Sequence, residues 1–146
     1  MIESIGEETF NFQDERFADI QLLRYRLPDF ESLTIKQKQL IYCLSQATLF
    51  GRDITFDQFG KYNLRIRKTL EAVYLNYNGE KLDYNFRALE EYLKHVWFAN
   101  GIYHHYACDK FSPLFTEDFF RKEVLALDTN QLPLNEGETV TSLLDE

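Results

Sequence analysis

Apolar residues recur at three- and four-residue intervals in two neighbouring stretches of this chain, and each stretch is closed by an Asn-Gly pair. In the first, Leu64 or Ile66, Leu70, Val73, Tyr74 and Tyr77 share one side of a helix expected over Tyr62 to Tyr77, and Asn78-Gly79 stops it. In the second, Asp83 or Asn85 caps a helix that turns Phe86, Leu89, Leu93, Val96 and Trp97 inward, and Asn100-Gly101 ends it. Helices of this kind bury their apolar stripes against one another, so helix-on-helix packing is the architecture they favour. Strict two-residue alternation is scarce. The chain therefore predicts a mainly α fold, a compact multi-helix domain with little or no sheet.

The flanking segments fit around that pair. Residues 1–15 read as an acidic, flexible lead-in, mobile or loosely docked (Glu3, Glu7, Glu8, Asp14, Glu15). Phe17, Ile20 and Leu23 then recur at helical spacing, with Leu22 and Tyr25 beside them, until Pro28 ends the segment. Thr34 followed by Gln37 is a capping-box pattern that opens a helix with Leu40, Ile41, Leu44, Ala47 and Thr48 on one face. Gly51 stands where a left-handed cap would close that helix. Arg52 to Gly60 reads as a connector holding two buried aromatics, Phe56 and Phe59. Pro113 and Thr116 open a later helix whose first turn carries Glu117 and Asp118, favourable at the positive end of the dipole, and whose apolar side is Phe119, Phe120, Val124, Leu125 and Leu127. The helical domain is placed over 16–128 and a C-terminal segment over 129–146. The last eight residues have the pattern of a helix's first turns with no stop signal, so the chain is expected to be cut within an element.

Composition excludes several functions. The net charge is −8 over 146 residues, a sign that repels phosphate backbones and argues against nucleic-acid binding. No apolar run approaches the roughly 20 residues that span a bilayer, and the first residues lack the pattern of a signal peptide. Cys43 and Cys108 are far apart and form no CxxC pair, so free thiols in a cytoplasmic protein are expected. The 13 Phe and 9 Tyr favour a well-filled core or a large binding face.

Candidate chemistry gathers at Asn100 to Pro113, a loop holding two of the three histidines and one of the two cysteines. Were it helical, His104 and Cys108 would share a face. A structural zinc site needs four ligands and a catalytic one three plus water, and His95 and Cys43 have no ligand-like spacing to this pair, so no zinc is expected on this chain alone. Cys108 as a nucleophile with His104 or His105 as its base is a distant third reading, since no sequence context supports a triad. Lys61, Arg65, Arg67 and Lys68 read as a solvated helix face pairing with nearby carboxylates. Trp97 reads as a core anchor. Tyr103 and Tyr106 are the aromatics placed to meet a ligand.

The loop resembles a segment of the dipeptidyl-peptidase III family of zinc metallopeptidases, particularly its bacterial members. The likeness lies in Val96-Trp97-Phe98-Ala99-Asn100-Gly101-Ile102-Tyr103-His104-His105-Tyr106 and in Asp109-Lys110-Phe111-Ser112-Pro113. Upstream, the runs from Arg16 to Tyr25 and from Gly60 to Arg67 are similar too, so the resemblance covers nearly the whole chain from about Glu15. It implies a two-lobed enzyme that removes dipeptides from peptide N-termini. Zinc would be bound in the other, C-terminal lobe, since the family's HExxGH-type motif and its downstream glutamate motif do not occur here. This chain would then be the N-terminal part of the non-zinc lobe, with substrate-binding residues Asn100, Gly101, His105 and Tyr106. Tyr106 matches an aromatic that lines the pocket for the peptide's first residues. His105 sits beside it at a substrate-contact position, and Asn100 and Gly101 shape the loop. At Tyr103, where relatives often have histidine, no family role carries over.

The expected partners are a peptide substrate and the missing zinc lobe, and the chain is not expected to be catalytic alone. Apolar surface meant for that lobe would favour self-association. The alternative from another class is a free-standing helical module that binds peptides without cleaving them.

Overall fold

A computed structural model of the chain describes residues 10–145. Two compact units divide between Ser45 and Gln46. Most of the described chain is helical, with six α-helices and one two-stranded sheet.

The first unit contains a hairpin where a helix was expected. Strands β1 (Gln13–Phe17) and β2 (Ile20–Leu23) pair antiparallel, with Arg16 opposite Gln21 and Phe17 opposite Ile20, and a bulge between Gln13 and Arg16. Phe17 and Ile20 stand three apart, a spacing shared by one helix face and by two strands joined through a two-residue turn. Ala18 accepts a left-handed φ of 47° in that turn. Local polar contacts favour the hairpin. Arg24 donates from Nε and Nη2 to the two oxygens of Asp14, at 2.9 and 3.0 Å, and the Gln21 amide donates to the backbone carbonyl of Asp14. Pro28 then opens a 3₁₀ turn, Pro28–Ser32, at the helix-initiating position where its missing N–H is not needed.

Helix α1 (Ile35–Leu49) begins at the Thr34–Gln37 box, which forms in both directions. The Gln37 side chain accepts from the Thr34 N–H at 2.9 Å, and the Thr34 hydroxyl accepts from the Gln37 N–H at 3.4 Å. Gly51 is not a left-handed cap. Its φ of −83° is right-handed, and the chain passes directly into α2 (Arg52–Phe59), which replaces the expected connector. Phe56 on α2 is buried, whereas Phe59 is exposed.

The second unit is organised by α3 (Asn63–Asn76) and α4 (Tyr84–Ala99), which form where the apolar spacing places them. The Asp83 carboxylate caps α4 by accepting from the N–H groups of Asn85 and Phe86, at 2.9 and 3.2 Å. Leu70 and Val73 of α3 and Leu89, Leu93 and Val96 of α4 are essentially inaccessible and share one core with Phe56, Val124 and Leu132. Tyr77 stacks on Phe86 with ring centres 4.2 Å apart. Helix α5 (Glu117–Leu125) is capped by the Thr116 hydroxyl, and the Asn85 side chain accepts from the Thr116 N–H at 3.0 Å, tying the starts of α4 and α5 together. Val124 carries the core contact of α5, and Leu125 is exposed. Helix α6 (Val140–Asp145) forms in the C-terminal segment, capped at its start by Thr139.

Arg65, Arg67 and Lys68 pair with carboxylates as expected, but Arg67 departs from a solvated face. Arg67 is buried, lies over the Phe56 ring at 4.5 Å, and donates to Asp53 at 2.6 Å, with Glu71 at 3.2 Å. Lys68 also reaches Asp53, at 2.9 Å, and it and Arg67 hold the Asp53 carboxyl below the usual carboxylate range. Trp97 departs in the opposite sense and is not buried. It is 41% exposed, and its indole N–H donates to Glu71 at 2.8 Å. An indole needs a partner for its N–H, and a rim position supplies one.

Candidate functional site

Helix α4 ends because Asn100 adopts the left-handed conformation, φ 57° and ψ 32°, and the next N–H, that of Gly101, turns back to the carbonyl of Val96 at 3.1 Å. Asparagine tolerates this conformation better than most residues. The chain leaves the helix at a sharp angle and doubles back as a small hairpin. Tyr103 bridges Lys110, the His104 N–H donates to the Asp109 carbonyl at 2.8 Å, and the Phe111 N–H donates to the Ile102 carbonyl at 2.8 Å. This hairpin replaces any helical arrangement of His104 and Cys108.

Its tip is aromatic. The imidazoles of His104 and His105 stack with centres 4.4 Å apart, and His105 meets the edge of Phe98 at 4.9 Å and Tyr106 at 4.2 Å. His104 Nδ1 accepts from the Tyr106 N–H at 3.2 Å, so it is the lone-pair nitrogen of that ring. Tyr106 itself is 89% exposed, an aromatic side chain held out by a braced backbone. Lys110 lies 5.6 Å from the ring of Tyr103.

Below the hairpin a groove of about 740 Å³ opens between α3, α4, α5 and α6. The loop contributes Ile102, Lys110 and Pro113 to its wall. Tyr62, Ile66, Tyr92, Phe115 and Phe120 make much of the remaining lining, which is chiefly apolar. Three ion pairs, made by two arginines, brace the rim. Arg65 Nη2 donates to both carboxylate oxygens of Glu138 at 2.7 Å, and Arg121 donates to Glu117 at 2.7 Å and Asp145 at 2.9 Å. The Arg65 bond, aided by the Asn135 N–H, lowers the pKa of Glu138.

Of the residues expected to bind substrate, His105 and Tyr106 come together at the tip, and Asn100 and Gly101 form the base of the loop. None of the four lines the groove. Among the groove-lining residues of the helices, Ile66, Leu70 and Phe120 are apolar positions that the spacing assigned to packing. In sequence, an apolar residue facing a groove carries the same signal as one facing the core.

Among the described residues, no three His, Cys, Asp or Glu side chains are grouped to hold a metal ion. Both cysteines are free and exposed. No described helix is long and apolar enough to cross a membrane. Comparison with models of protein families and with curated proteins gives no match. Fold and site together define a mainly helical chain that presents an aromatic hairpin above an apolar groove.

Proposed function

We propose that this chain is the N-terminal, substrate-binding part of a zinc-dependent dipeptidyl peptidase, gripping the N-terminal end of a short peptide. The observation that carries the reading is the loop itself, a hairpin braced by backbone hydrogen bonds that holds Tyr106 out beside His105 while Ile102, Lys110 and Pro113 wall an apolar groove. The resemblance of Val96 to Tyr106 and of Asp109 to Pro113 to the dipeptidyl-peptidase III family supports it. An aromatic wall and an apolar groove can bind peptide side chains with little chemistry of their own. In this reading the zinc and the groups that act with it belong to the other lobe, where the metal would acidify the attacking water.

Binding of a short peptide with a free α-amino group to the purified chain, followed by calorimetry, tests this. Tyr106→Ala should weaken binding about tenfold, the equivalent of about 1.4 kcal/mol, while Tyr106→Phe, which keeps the ring, should stay within about threefold. Equal binding by wild type and Tyr106→Ala would overturn the reading. Peptide binding that persists in a protein whose native mass is that of this chain alone would favour a free-standing binding module.

A further inference from the structure

One buried side chain joins the start of α3 to the start of the loop. Asn63, the first residue of α3, is 2% exposed, and its Oδ1 accepts the N–H of Ile102 at 3.4 Å. The Ile102 carbonyl is also taken, by the Phe111 N–H. Both backbone polar groups of Ile102 are therefore engaged, one to α3 and one across the hairpin. Ile102 is the point at which the loop's register is set.

The space around Asn63 is built from two glycines. A Cβ at Gly101 would lie 2.3 Å from Asn63 Nδ2 and 2.8 Å from its Cγ, and one at Gly60 would lie 2.9 Å from Nδ2. Gly101 is not at a positive φ, since Asn100 carries the left-handed turn, so what Gly101 supplies is room. The arrangement carries a cost of its own. Asn63 Nδ2 is buried with no hydrogen-bond partner, and a buried donor left unpaired is destabilising. An apolar side chain would avoid that cost, but it would leave the Ile102 N–H without its acceptor.

We infer that Asn63 is the positioning residue of the aromatic hairpin: seated between Gly60 and Gly101, it fixes Ile102 and thereby the placement of His105 and Tyr106. The arm of the test that measures peptide affinity rests on the proposed peptide-binding function, whereas the arm that measures the loop does not.

A double-mutant cycle tests it: wild type, Asn63→Ala, Gly101→Ala and the double variant. Asn63→Ala should speed amide exchange at Ile102 and weaken peptide binding, each by about tenfold, the scale of one lost buried hydrogen bond. Gly101→Ala should do at least as much, because its methyl group displaces the carboxamide. The two losses should not add. With the carboxamide gone, the double variant should behave no worse than Asn63→Ala. Asn63→Asp retains the acceptor, with a charge suited to a helix start, and should keep Ile102 exchange within about threefold of wild type. A core control, Leu132→Ala, should lower the melting temperature without speeding exchange at Ile102. Unchanged exchange in Asn63→Ala, or additive losses in the double variant, would overturn the inference. Faster exchange in Asn63→Ala, with no peptide bound by wild type or variant, would uphold the positioning role and overturn the peptide-binding reading. Should Gly101→Ala fail to fold, the contrast between Asn63→Ala and Asn63→Asp still decides.

Discussion

Glu138 illustrates how single residues in this chain couple distant parts of the sequence. It accepts two hydrogen bonds from Arg65, which lies 73 positions earlier, and one from the Asn135 N–H at 2.8 Å. These contacts hold its folded pKa below the ordinary 4.5. A lowered carboxylate pKa means that the contribution is fully present above the unfolded value and is lost as pH falls through the folded one. Urea unfolding at about pH 6 and about pH 3 should therefore show wild type losing more stability on acidification than Glu138→Gln. Equal losses would show that Glu138 contributes no pH dependence. Residue identity also explains what was legible at the site. Asn100 and Gly101 mark the end of α4 in any reading of the sequence, but the roles divide between them. Asn100 takes the unusual backbone conformation, and Gly101 makes way for a side chain 38 positions upstream. Only tertiary structure contains that second requirement. The pairing of Asn63 with Ile102 has no local signal at all.

Among the elements, α3, α4 and α5 were readable because each has periodic apolar positions, joined by a side-chain cap at the start of α4 and of α5 and by the Asn78-Gly79 stop after α3. Asp83 is the clearest case, and Asp83→Ala should reduce stability by about 1 kcal/mol with little change in the core. A change below about 0.3 kcal/mol in denaturant unfolding would mean that water replaces the cap at no cost. The errors have physical causes. The β1–β2 hairpin was mistaken for a helix because Phe17 and Ile20 satisfy both geometries, and the ion pair between Asp14 and Arg24 is invisible to apolar spacing. Helix α2 was missed because its eight residues offer little periodicity, and because Gly51 looked like a terminator although its backbone is right-handed. Trp97 falls on the inward stripe of α4 by spacing, but its N–H draws it to Glu71.

At the level of the whole molecule, charge and apolar surface oppose one another. A net charge of −8 disfavours association, whereas Ile35, Leu40, Ile41, Leu44, Leu49 and Phe50 are all exposed along and just beyond α1. We propose that the apolar surface prevails at moderate salt, where charge repulsion is screened. Sedimentation should then show a mass rising above 17.4 kDa with concentration, and Leu40→Lys combined with Leu44→Lys should suppress the rise. A constant mass over the whole range would refute this. The chain also carries a single tryptophan, and its position gives the molecule an intrinsic optical gauge. Trp97 is anchored through Glu71 and precedes Phe98, whose ring meets His105. Emission excited at the indole's red edge therefore originates one residue from the hairpin's aromatic contact. Rearrangement of that hairpin can be timed in the native protein, with no label attached.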